Sequence, residues 1–276
     1  KYFNILEKRA NEDKAQTNRR EQARFERPES IYIGDKRLFG LDISPDMNYV
    51  VYRLFSSSTS KNTVVPDYVT ESGYTTDLNT RSKVGGPQNG FETWILNLKT
   101  GEHYQIKADD IEGIKDKPSF LKDYAEIPSE YQHTYENPRD VTVSNPIFSE
   151  DGKALVNVTS SDNKDRWIML LNLADGSLKN IDRQHDDAWI GGPGVGWFAE
   201  SKMGWLSNET IWFMSEKTGY THLYTANVNT GKKEALTQGD FEILDVKLSN
   251  DNKTFYITSN KVSPHEHHFY HLPTKG

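Results

Sequence analysis

The chain has 276 residues, 35% hydrophobic, 26% charged and 12% aromatic, and its 33 basic against 40 acidic side chains give a formal charge of −7. So many large rings exclude a disordered polymer, and the acidic balance argues against a nucleic-acid partner, because phosphate binding needs a positive surface. With no cysteine there is no disulfide scaffold, thiolate zinc site or cysteine nucleophile, and no apolar run approaches the roughly 20 residues that a membrane-spanning helix needs.

Residues 1–30 read as a helical segment. Lys8, Arg9, Lys14, Arg19, Arg20, Arg24 and Arg27 alternate with Glu7, Glu12, Asp13, Glu21 and Glu26, without Pro or Gly until Pro28. That balance describes a solvated helix and not a nucleic-acid arm. From residue 31 to 276 one plan recurs four times: a short apolar strand, a polar turn containing Ser, a strand rich in β-branched and aromatic residues, a further aromatic strand and a closing Gly turn. The turns are Ser44-Pro-Asp46, Ser149-Glu-Asp-Gly152, Leu206-Ser-Asn208 and Leu248-Ser-Asn-Asp251, and the closing glycines are Gly101, Gly176, Gly231 and Gly276, at intervals of 75, 55 and 45 residues. Periods of about 40–50 residues with three or four strands each are those of β-propeller blades, whose small sheets bury both faces by stacking.

The fold class is therefore all-β, a β-propeller with about four blades (38–108, 140–183, 200–238 and 241–276), part of a larger propeller and preceded by a short N-terminal helix. A β-sandwich is the competing architecture. Two insertions interrupt the plan. Residues 56–90, rich in Ser, Thr, Asn and Gly, read as a long exposed excursion. Residues 109–138, with Pro118, Pro128 and Pro138, read as loop with room for a short helix.

No Gly-x-Ser-x-Gly nucleophile elbow, phosphate-cradling loop or dinucleotide fingerprint is present. Gly191-Gly-Pro-Gly-Val-Gly196 reads as a tight loop between blades. His265, His267, His268 and His271 surround Glu266 without the zinc-helix spacing, and on a strand His265 and His267 would face away from His268. No metal and no cofactor are expected. Asp186-Asp187, Asp109-Asp110 and Glu126 or Glu136 could supply the paired carboxylates of a propeller glycosidase, but adjacent acids on a strand point to opposite faces, and Asp46, Asp151 and Asp251 suit turns.

Ser215-Glu-Lys-Thr-Gly-Tyr-Thr-His-Leu-Tyr224, followed by Ala235-Leu-Thr-Gln-Gly239 and Phe241-Glu-Ile-Leu-Asp-Val246, with Asp187-Ala-Trp-Ile-Gly-Gly-Pro193 upstream, resembles the N-terminal propeller of the prolyl oligopeptidase family of serine peptidases, on its dipeptidyl peptidase IV side. The match is specific from about residue 186 to 276 and weaker before it. The resemblance implies a noncatalytic part of a peptidase acting on short peptides. The triad would lie in a C-terminal α/β-hydrolase domain of the same full-length chain, and the propeller would gate access and shape the substrate pocket. No catalytic residue is then expected here, while Asp187 would offer the substrate a polar contact and Trp189 and Phe198 apolar ones. Inter-blade core is the other reading of both rings.

Relatives on this side hold the substrate's amino terminus with a Glu-Glu pair, and this chain has none. Glu126, Glu130 or Glu136 could act singly. The resemblance also implies a peptide substrate, allows a homodimer and suggests a periplasmic or extracellular location. The alternative function is a stand-alone binding module for protein or carbohydrate, with a glycosidase third.

Overall fold

The computed structural model describes residues 2–24, 30–83, 86–132, 135–196 and 201–275. The chain divides into two units, Lys1–Gly34 and Asp35–Gly276. The first holds a single helix, α1 (Tyr2–Gln22), in which no residue is buried. Mixed charge from Glu7 onward, with Lys8 and Glu12 one turn apart at 3.9 Å, leaves the helix with little net charge, while Tyr2, Phe3, Ile5 and Leu6 stand exposed in its first turns.

The second unit is built from four antiparallel sheets and one free-standing hairpin. The first sheet has the order β1 (Arg37–Ile43), β2 (Tyr49–Ser56), β5 (Gly90–Asn97), β6 (His103–Gln105), and the hairpin β3 (Asn62–Asp67) with β4 (Thr76–Ser82) lies between β2 and β5 in sequence. The second sheet runs from β7 (Val141–Val143) and β8 (Ile147–Phe148), both paired with β9 (Ala154–Ser160), to β10 (Asp165–Leu171) and β11 (Leu178–His185). The third contains β12 (Met203–Trp205), β13 (Thr210–Ser215), β14 (His222–Asn227) and β15 (Lys233–Ala235). The fourth contains β16 (Ile243–Leu248), β17 (Thr254–Ser259) and β18 (His268–Pro273).

Strand periodicity explains how these sheets cohere. On β10, Trp167, Met169 and Leu171 enter a layer shared with Val51 and Ile95 of the first sheet, while Ile168 enters the next layer with Ile211 and Phe213 of the third. On β13 the alternation repeats: Ile211 and Phe213 face the second sheet, and Trp212 and Met214 face Ile243, Phe255 and Ile257 of the fourth. Every second side chain thus joins a different layer, and each fully buried aliphatic or aromatic group contributes about 1.5–3 kcal/mol. The second and third sheets, covered on both faces, carry runs of buried residues in place of simple alternation.

The repeated turns share one chemistry. The hydroxyls of Ser44, Ser149 and Ser249 donate to Asp46, Asp151 and Asp251 at 2.6, 2.6 and 2.7 Å, and accept from Tyr49, Lys153 and Thr254 backbone N–H groups. The following residue takes the left-handed conformation: Met47 (φ 57°), Gly152 (86°) and Asn252 (56°). Asn and Gly suit that region and methionine does not. Met47 is 71% exposed and has no packing to lose, so Met47→Asn should raise the denaturant midpoint, by about 0.5–1 kcal/mol of stability. A lower midpoint would show the strain is absent.

The 56–90 excursion is exposed as expected, but it is ordered as a hairpin where no strand was read. Thr63 and Thr80 face each other at 2.5 Å, and the Thr80 hydroxyl donates to the Thr63 carbonyl at 2.8 Å. The β-branched run Thr63-Val-Val65 is the signal that its polar flanks hid. Residues 109–138 hold two short 3-10 turns, Ser119–Asp123 and Ser129–Tyr131. His265 and His267 precede β18, so strand alternation does not govern their direction; they sit in the turn before His268, whose Nε2 lies 3.0 Å from Glu266. Gly276 lies outside the described residues.

Candidate functional site

The registers place unequal connections at the two ends of the sheets. One end carries only tight turns, among them 44–48, 149–153, 206–209 and 249–253. The other carries 57–89, 106–140, 186–202, 216–221, 236–242 and 260–267. Binding residues gather where loops are long and the scaffold beneath them is rigid, so the second end is where to look.

A cavity of about 390 Å³ opens there, lined by Asp116, Lys117, Arg139, Lys164, Arg183 and His185 among others. Three of these lining residues, Arg139, Arg183 and His185, converge on Asp165, the first residue of β10, whose carboxylate is fully buried. Arg139 Nη2 and Arg183 Nε donate to it at 2.7 and 2.8 Å, and His185 Nδ1 lies 3.0 Å away. Each cation has further partners. Arg139 donates to Asp162 at 3.0 Å and to the Gly113 and Ile114 carbonyls at 2.8 and 3.0 Å; Arg183 donates to Asp116 at 2.7 Å. Both guanidinium groups lie over the Trp167 ring, 6.0 and 5.9 Å from its centre.

Burial works against charge on both arginines, but their carboxylate partners outweigh it and hold them above their ordinary value. Burial likewise opposes ionisation of Asp162, yet the Ser160 hydroxyl and Arg139 prevail and keep its carboxyl below the usual range. Gly113 (φ 78°) belongs to the same construction, since a Cβ there would fall 2.0 Å from Arg183 Cζ. Sequence reasoning missed this cluster. Its one available sign was period two on β11, which puts Arg183 and His185 on one face, with His185 opposite Asp165 in register.

Beside the cavity runs the loop that carries two of the three residues read from the sequence. The Asp186 N–H donates to the Lys164 carbonyl, the Ile190 N–H to the Asn163 carbonyl, and the Asp186 carboxylate accepts from the Ala188 and Trp189 N–H groups at 2.7 and 3.0 Å. Asp186 is thereby spent on the turn. Further on, Ile190 and Val195 enter the core shared by the third and fourth sheets, and the Gly191 N–H donates to Glu216 at 3.0 Å. Asp187 stays exposed. Its carboxyl is held below the usual range by the Ser119 hydroxyl first and then by His185, whose Nε2 is 3.4 Å away. Trp189 is 59% exposed and lies outside the core. Phe198 lies outside the described residues, as do Trp197 and Glu200. Glu126 and Glu136 are exposed on the 106–140 connection at the same end, and the Glu130 side chain is outside the described set.

The loop's course depends on glycine at one place in particular. A Cβ on Gly192 would fall 2.3 Å from Thr221 Oγ1 and 2.5 Å from Glu216 Oε2. Gly192→Ala is expected to lower stability by about 1–3 kcal/mol through overpacking. Urea unfolding measures it, and an unchanged midpoint would mean that the loop is not seated on Glu216 and Thr221.

Among the described residues no group of three His, Cys, Asp or Glu side chains converges to hold a metal, and no helix is long and apolar enough to cross a membrane. Three comparisons with known proteins bear on most of the chain. The family described as Dipeptidyl peptidase IV (DPP IV) N-terminal region matches residues 36–276. Dipeptidyl peptidase 4 of Arthroderma otae is 24% identical over 256 residues, covering 88% of this chain and 29% of the relative. Probable dipeptidyl peptidase 4 of Aspergillus fumigatus is 25% identical over 260 residues, covering 90% and 30%. The chain thus spans about 30% of the length of these relatives. The crystal structure of Porphyromonas gingivalis dipeptidyl peptidase 4 superposes with a TM-score of 0.53 at 15% identity, over 86% of this chain and 29% of that one. That likeness shows the fold, and the four stacked sheets are β-propeller blades.

Proposed function

The chain belongs to the dipeptidyl peptidase IV N-terminal region family, and from that membership we propose that it is the noncatalytic propeller portion of a serine peptidase acting on short peptides, joined in the full-length protein to an α/β-hydrolase domain that carries the triad. The observation that carries this reading is the family match over residues 36–276. In this role the long-loop end faces the hydrolase domain, restricts entry and completes the substrate pocket. Asp187 and Trp189 are the contacts offered from the pinned loop, polar and apolar respectively, and Phe198 is the third. Supporting this, the loop is anchored at both ends while these two side chains remain in solvent, the arrangement that holds a binding group without further ordering cost. A periplasmic or extracellular site of action belongs to the same proposal.

With no Glu-Glu pair, recognition of a substrate's amino terminus falls to single carboxylates. Glu126, Glu130 or Glu136 on the 106–140 connection would supply it singly, with Asp187 at the same end.

The test uses the full-length protein. It should label with a fluorophosphonate and hydrolyse a proline or alanine peptide substrate, and Trp189→Ala should raise KM about 10-fold, equivalent to about 1.4 kcal/mol, with labelling unchanged. A coding sequence without a hydrolase domain after residue 276 would remove the peptidase reading. An unchanged KM would remove only the role of Trp189.

A further inference from the structure

The first sheet carries a group of residues that neither the fold nor the proposed function uses. β1 contains a bulge: Leu38 pairs with Leu54 and Gly40 with Arg53, leaving Phe39 as the extra residue. Bulges re-aim side chains, and this one puts the Phe39 ring on those of Phe55 and Phe91, with centroids 6.4 and 5.5 Å away, while Phe55 and Phe91 are 5.2 Å apart. Such a cluster would ordinarily be core, yet Phe39 is 62% exposed. Two guanidinium groups lie on it. Arg53 Cζ is 5.3 Å from the centres of both Phe39 and Phe91, and Arg37 Cζ is 5.3 Å from that of Phe55.

Among the described residues neither arginine makes an ion pair. The neighbouring acid Glu92 is occupied by Lys36 at 2.6 and 2.7 Å and by Trp94 Nε1 at 3.0 Å, on the other face of the sheet. Asp42 shares the face of Arg53 but is not paired with it. Arg53 Nε is buried with no hydrogen-bond partner, and burial lowers the guanidinium below its ordinary value with no acid to offset it. A half-buried cation without a counter-ion is an unfavourable thing to maintain in a folded chain. With Nε buried, it is the outer Nη edge of Arg53 that ring stacking leaves open, and a carboxylate fork matches that edge.

We propose that Arg53 and Arg37, held on the Phe39–Phe55–Phe91 cluster, form a recognition site for a carboxylate-bearing ligand. The carboxylate accepts a bidentate pair of hydrogen bonds from Arg53 with Arg37 as the outer cation, and the exposed Phe39 ring covers the ligand's apolar part. A peptide's terminal carboxylate and an acidic side chain present the same group, and the experiment separates them.

The uniformly ¹⁵N-labelled 276-residue chain is titrated with N-acetyl-Ala-Ala bearing a free carboxylate, with its C-terminal amide, and with N-acetyl-Ala-Glu-amide, following the arginine Nε–Hε signals. The free carboxylate, the Glu side chain or both should shift the Arg53 signal saturably, and the plain amide should not. Which of the two acts identifies the source. Arg53→Gln and Arg53→Lys should each weaken binding at least ~10-fold, since the latter keeps the charge and loses the fork. Phe39→Ala, which removes an exposed ring outside the core, should weaken it at least ~3-fold. An equal response to the plain amide, no Arg53 shift with either carboxylate, or unchanged affinity in any variant whose thermal unfolding shows it folded overturns the site.

Discussion

Replacing Asp165 with alanine is expected to cost about 3–5 kcal/mol of folding stability, the range for removing one partner of a buried charge cluster. The carboxylate is fully buried and is the acceptor on which Arg139, Arg183 and His185 converge. Its loss leaves Arg139, only 9% exposed in its side chain, with Asp162 and two carbonyls, and Arg183 with Asp116 alone. Asp165→Asn should cost less, because an amide oxygen still accepts one of these bonds. Urea unfolding of the 276-residue chain checks both, and the double variant with Arg139→Met measures how much of the loss is the unpaired cation. If Asp165→Ala lost under ~1 kcal/mol, the carboxylate would not be the organising centre of the cavity, in contrast to what is expected from its burial.

The comparable effect is expected from Trp167→Ala, about 3–5 kcal/mol for deleting a large buried ring. Trp167 is fully buried between the first and second sheets, and its Nε1–H donates to the Glu112 carbonyl at 2.9 Å. It therefore ties the 106–140 connection to the blade while forming the surface on which both arginines lie. Trp167→Phe keeps most of the apolar contact and loses the donor, so it should cost about 1–2 kcal/mol, mainly for the Glu112 carbonyl left without a partner. The two losses are coupled, since Asp165 and Trp167 hold the same two cations. Their double variant should fall short of the sum of the singles. Strict additivity would show that the ring and the carboxylate act independently.

How far the site could be read from the sequence depends on the range of the interactions that make it. Asp187 and Trp189 could be put forward because a contiguous segment, Asp187-Ala-Trp-Ile-Gly-Gly-Pro193, resembles a family pattern, and local turn chemistry at Asp186 shapes the backbone that carries them. Arg139, Asp165 and Arg183 stand apart in sequence and share no motif. They meet because β10 and β11 pair with His185 opposite Asp165, and because Gly113 lets the 106–140 connection close over Arg183. The aromatic cluster under Arg53 was equally hidden. Phe39, Phe55 and Phe91 are ordinary strand residues until one extra residue in β1 turns the first of them onto the other two.

The sequence by itself determined the repeat and its turns. The pairing of Ser44 with Asp46, Ser149 with Asp151 and Ser249 with Asp251, and the left-handed Gly101, Gly176 and Gly231 that close β-turns, are interactions within five residues, where local propensity governs. It also pointed to stacked sheets, because strands apolar on both faces need a covering layer on each side, while the choice of a propeller over a β-sandwich was left to the tertiary structure. The tertiary structure alone decided which end of the blades carries the long connections and which charges are paired there. Pairing a buried carboxylate on β10 with one arginine from the 106–140 connection and another from β11 is decided by distances of about 3 Å between residues remote in sequence, and no local pattern encodes such a distance.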